Sequence, residues 1–205
     1  MAGRQRPAWS GALNGYDLAL FLHIAGIIAL FSVIALLVGA LGGARRAQSV
    51  EALREWLREV VVAERLVAPL GALAFFPAVY LVSDRWSWRD GWVSAAIIGL
   101  LITIGLGPLL LRGRLAAARR RLDGAPDGAP TIAARLAVHD PALWVASQTM
   151  TTLPSGVIVL MVFKPNSAVS AIVLVVAALL GVLSAAPALT RYRRLEAEAA
   201  RQRAG

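Results

Sequence analysis

Five apolar stretches divide the chain, at about 17–41, 66–82, 92–111, 142–163 and 168–189. Each is long enough to cross a bilayer as a helix, since roughly 20 residues span the hydrocarbon core at about 1.5 Å per residue. The first, Asp17–Leu41, reads DLALFLHIAGIIALFSVIALLVGAL, and no formal charge lies between Asp17 and Arg45. Between the first two spans, residues 48–64 place Leu53, Trp56, Leu57, Val60 and Val61 at i, i+3, i+4, i+7 and i+8. That spacing predicts an amphipathic helix at the membrane surface. Glu51–Arg54 and Glu55–Arg58 support its polar side. It should run directly into the second span, where Pro69 and Pro77 each remove a backbone donor and predict kinks.

The third span is loosened by Gly99, Gly105, Gly107 and Pro108. A basic helical piece through Leu122, the turn DGAPDGAP and a short helix follow. Asp140–Pro141 then has the form of a helix start, with Asp as N-cap and Pro in the first position. Lys164–Ser167 makes a tight hairpin between the last two spans, and the tail from Thr190 is charged and helical in tendency. The predicted fold is all-α: a polytopic membrane bundle of five transmembrane helices plus one cytoplasmic amphipathic helix. It forms a single membrane domain over 1–189, with a charged tail at 190–205.

Composition agrees with the pattern. The chain is 58% hydrophobic with only 16% charged residues, too apolar for an ordinary soluble domain. Its formal charge of +9 is not accompanied by a basic, aromatic-interleaved surface, so nucleic acid is not an expected partner. The basic residues instead sort by side. Arg4, Arg6, Arg85, Arg89 and Lys164 lie on one side of the five spans, and the other 16 of the 21 lie opposite. The positive-inside rule then puts the amino terminus outside and the carboxyl terminus in the cytoplasm. Trp9, Tyr16, Trp86, Trp88 and Trp92 suit the outer interface. The arginine, alanine, glycine and leucine bias suggests a bacterial coding sequence, hence the inner membrane. A cleaved signal peptide over Met1–Ala44 is disfavoured, because the apolar run is too long and Arg45–Arg46 follow it like a stop signal. The absence of cysteine excludes disulfides and thiolate metal sites.

Few residues carry candidate chemistry. His23 lies six residues inside the first span, roughly 9 Å below the boundary, with Gly26 at i+3 leaving open space beside the ring. A titratable ring at that depth is rare enough to suggest a cofactor ligand or proton-transfer group. The alternative is a neutral imidazole hydrogen-bonded to a neighbouring helix. His139 falls roughly 20 Å away along the membrane normal, at the start of the fourth span, so no single haem joins the two. Gln148, Thr151, Thr152 and Ser155 share one helical face and form a polar stripe, a substrate path or a set of packing hydrogen bonds. Gly39–Gly43 is a close-packing GxxxG, and Glu64–Arg65 at the membrane edge should pair with the charges of the preceding amphipathic helix. No HExxH, phosphate-binding loop, GxSxG or paired intramembrane carboxylate occurs.

LFLHIAGIIALF in the first span, the basic amphipathic lead into the second, and GWVSAAIIGLLITIGLGPLLLRGRLAAARRRL resemble a bacterial family of predicted integral membrane proteins. That family is known as domain of unknown function 2269, and the resemblance covers about residues 16–163. It is distantly similar to the copper-resistance D and HemJ-type membrane proteins. That similarity implies haem b at a first-helix histidine, a role that falls on His23 alone.

The leading expectation is a non-enzymatic integral membrane protein, a structural or accessory component embedded in the lipid bilayer. It would pack as a homo-oligomer or within a larger membrane complex. A haem-b redox protein using His23 is the first alternative. A small-solute or proton permease lined by Gln148, Thr152 and Ser155 is the second.

Overall fold

The structure is a computed structural model and describes residues 14–123 and 125–204. Arg4, Arg6, Trp9 and most of a would-be signal peptide's n-region lie outside the described residues. Among the described residues there is no strand, and five helical segments are long and apolar enough to cross a membrane.

Helix α1 (Gly15–Arg46) begins at Asn14, whose side chain accepts the Asp17 N–H at 2.8 Å. Asp17 in its first turn and Arg45–Arg46 in its last complement the helix dipole. Three residues later Ser49 caps α2 (Val50–Arg85), accepting the Ala52 N–H. The amphipathic segment and the second span are therefore one uninterrupted 36-residue helix, which passes through both Pro69 and Pro77. Leu53, Leu57 and Val60 of the predicted stripe are buried, whereas Trp56 is 40% exposed at the rim.

Helix α3 (Gly91–Leu106) ends in a π-turn over Gly107–Leu111 before α4 (Arg112–Leu122). Pro108, without an N–H, sits at the start of that wider turn. The DGAPDGAP turn is held on the amino-terminal end of α2. Arg54 donates to the carbonyls of Leu122 and Ala125 and to Asp127, and Val50 N–H donates to Gly128 O at 2.8 Å. Gly128 adopts φ +121°, a conformation open to glycine.

Short α5 (Ile132–Val138) leads through His139 to α6 (Pro141–Phe163). Asp140 caps α6 by accepting the Ala142 N–H, and Pro141 takes the first position, as the sequence predicts. Lys164 closes α6 in the left-handed region, and Asn166 caps α7 (Ser167–Ser184). The fifth span breaks at Ala185, and α8 (Ala186–Ala204) carries the charged tail.

Helices α1 and α2 form the most extensive pair, and α3, α6 and α7 pack as a second group. One core lies toward the arginine-rich end, built from residues such as Leu37, Leu41, Leu57, Leu111, Leu143 and Met150. A smaller one lies at the tryptophan end, around Trp92, Val93 and Leu160. There Lys164 Nζ stands 4.8 Å from the Trp86 ring centroid, and Trp86 meets Trp92 edge-on at 5.4 Å. Phe21, Phe76, Leu109, Phe163 and Leu183 are exposed on the outer wall, where a bilayer would cover them.

Candidate functional site

His23 is buried on the face of α1 that meets α2. Its Nδ1–H donates to the Ala74 carbonyl at 2.7 Å; a carbonyl only accepts, so the proton is on Nδ1. Gly26, one turn on, shows why the ring can reach. A Cβ there would lie 2.6 Å from Ala74 N and 2.8 Å from Ala74 Cα, so the helices touch backbone to backbone. The open space expected beside the ring is filled by α2.

The rest of the ring lines a small cleft between α1, α2, α3 and α6, of about 80 Å³. Phe31, Phe75, Trp92, Val157 and Met161 contribute to its walls. A haem needs axial donors, room for the macrocycle and partners for two propionates. His23 and Met161 offer donor atoms, but no cationic side chain lines the cleft. Its volume is also far below the roughly 300–1,000 Å³ of ordinary ligand pockets. The residues present do not fit haem b.

The polar stripe of α6 lies on another face. Thr151, Thr152 and Ser155 hydroxyls donate to the carbonyls of Ser147, Gln148 and Thr151, one turn back on their own helix. Ser155 is exposed, while Gln148, Thr151 and Thr152 are half-buried. None of the four lines the His23 cleft, to which α6 contributes Pro154, Val157, Ile158 and Met161. The buried hydroxyls are Ser147 and Thr149, which helical spacing had not singled out. Thr149 sits where α7 comes closest: a Cβ on Gly181 would meet Thr149 Cα at 2.7 Å and Thr152 Oγ1 at 2.7 Å.

At the arginine-rich end two expectations are corrected. Glu64 does not pair with the preceding helix. It is 3% exposed and accepts from Arg112 Nε at 2.8 Å, beside the π-turn, where Gly107 leaves room for its carboxylate. In the GxxxG, Gly43 packs under the Trp56 ring, but Gly39 faces open space.

His139 stands at the entry to α6, and it is buried there, 7% exposed. Its Nδ1–H donates to Arg135 O at 2.8 Å, closing α5. Outside the spanning segments, it is held below the usual imidazole range, first by burial and then by the charges of Arg45, Arg191 and Arg135; the backbone hydrogen bond acts the other way. It lines a cavity of about 570 Å³ between the carboxyl end of α1, the start of α2, α5 and α8. The two histidines thus belong to different cavities, as their predicted separation requires.

No metal-holding group of three or more His, Cys, Asp or Glu occurs among the described residues. No family model, curated protein or solved structure matches the chain.

Proposed function

We propose that this chain is a non-enzymatic integral membrane protein, a structural or accessory component that acts by packing with copies of itself or within a larger membrane complex. The observation that carries the reading is the His23–Ala74 hydrogen bond. The most conspicuous polar group in the apolar spans joins α1 to α2 where Gly26 meets the Ala74 backbone. The stripe hydroxyls, too, are satisfied on their own helix. The interhelical bond locks two helices together, and hydroxyls bonded to their own helix carbonyls are not free to line a path.

The setting we infer is a bacterial inner membrane, with the tryptophan end outside and the arginine-rich end in the cytoplasm. The distribution of basic residues, five against 16, supports that orientation. Cysteine-accessibility labelling at Ser167 and at Arg201, introduced singly, tests it. Labelling of S167C from outside intact cells and protection of R201C is expected; the reverse pattern contradicts it.

Cross-linking in native membranes, followed by native mass spectrometry in mild detergent, tests the function. Dimers, higher oligomers or a co-purifying membrane partner are expected. A monomer alone by both methods overturns the reading.

A further inference from the structure

Some cations of the arginine-rich end are matched by acids. Arg54, Arg58, Arg112 and Arg114 each have a carboxylate within 3.0 Å. Around the His139 cavity the situation is different. Arg45, Arg46, Arg135, Arg191 and Arg194 all line it, brought from α1, α5 and α8, and Glu198 is the one acid in its wall. Among the described residues none of the five makes an ion pair.

Arg45 makes the imbalance concrete. Its guanidinium lies over the Trp144 ring at 4.2 Å, and its Nε is buried with no hydrogen-bond partner among the described residues. A buried donor on a charged group is costly to leave unmade. Like charges gathered from three helices repel one another, and among the described residues Glu198 is the one acid in the wall to offset five guanidinium groups. A guanidinium fork is matched in geometry to phosphate oxygens. The cavity is also the right size for a ligand, at about 570 Å³. Finally, Arg45 follows the first apolar run by only four residues, which sets the cavity at headgroup depth.

We propose that the His139 cavity is a binding site for a phosphate-bearing anion. The phosphate sits among Arg45, Arg135, Arg191 and Arg194 and takes the unmatched donors, and Trp144 fixes the Arg45 plane from behind. A glycerophospholipid headgroup and a soluble phosphate share this chemistry and differ in what is attached to it.

The test uses the full chain purified in zwitterionic detergent. In one arm, native mass spectrometry measures retention of added phosphatidylglycerol against phosphatidylcholine. In the other, thermal unfolding is followed with inorganic phosphate against chloride at equal ionic strength. Each arm compares the native chain with an Arg191→Gln/Arg194→Gln variant, and with an Arg120→Gln/Arg201→Gln control that removes the same charge outside the cavity. Arg191 and Arg194 are exposed, so their loss leaves the core intact. Arg135→Gln serves as a second cavity variant.

Preferential retention of phosphatidylglycerol that falls roughly thirtyfold in the cavity variant, but not in the control, assigns the site to lipid. A rise in unfolding midpoint with inorganic phosphate, lost in the cavity variant and without lipid preference, assigns it to a soluble phosphate. If neither arm separates the native chain from both cavity variants, or if the control loses as much as they do, the proposal is overturned.

Discussion

His23 and His139 both donate Nδ1–H to a backbone carbonyl, at 2.7 and 2.8 Å, and both are nearly buried. Their surroundings are opposite. His23 borders an apolar cleft of about 80 Å³ with no charged side chain in its walls, and its bond crosses from one helix to another. His139 borders a cavity of about 570 Å³ lined by five arginines, and its bond stays within its own turn. A buried histidine therefore says little by itself. What it does depends on whether the polar partner it finds closes a helix contact or leaves it beside unmatched charge.

The comparison is most severely tested where the apolar end is tightest. Gly26→Leu pushes a side chain into the Ala74 backbone, and neither helix can yield by a rotamer change. Loss of about 3 kcal/mol or more, the upper part of the overpacking range, is expected as a lowered unfolding midpoint in detergent. An unchanged midpoint would mean that α1 and α2 do not touch there. At the charged end, Arg112→Leu leaves Glu64 buried without its partner. Because Arg112 is itself 53% exposed and partly screened, the expected loss is about 2–3 kcal/mol, at or below the low end for a broken buried pair. Glu64→Gln should lose less, since the half-exposed Arg112 can turn to water, and denaturant titration of the two variants ranks them.

A smaller effect is expected from His23→Leu, about 0.6–2 kcal/mol for one interhelical hydrogen bond within apolar surroundings. Pairing it with Gly26→Ala in a double-mutant cycle should show coupling, because both act at Ala74. The smallest is Ser155→Ala. That hydroxyl is exposed and bonded only to Thr151 O, so a change within about 0.5 kcal/mol is expected. A large loss would reveal a partner on that face.

Much of the bundle was legible because charge-free windows and helix signals act locally. Asp140–Pro141, the Lys164–Ser167 hairpin and the continuity of the amphipathic segment with the second span all appear as read. What acts across the chain was not. Arg45, Arg135 and Arg191 are far apart in sequence, and each is explained singly as a topology signal, so their convergence could not be seen. Glu64 and Arg112 are 48 positions apart and meet only because the π-turn sets Gly107 against the carboxylate. The α6 stripe was legible as a shared face, but its surroundings were not. Helical spacing shows which residues share a face but not which face is inside, and Ser or Thr can satisfy its hydroxyl on its own helix. Of the two buried hydroxyls, Thr149 is marked by Gly181, the glycine that α7 places against it.

The central claim is that His23 is a packing residue and not a cofactor ligand. The visible absorbance spectrum of the protein, purified from cells well supplied with haem and recorded oxidised and dithionite-reduced, tests it most directly. The account predicts no Soret band in either state. A Soret band that shifts on reduction and disappears in His23→Ala would contradict it.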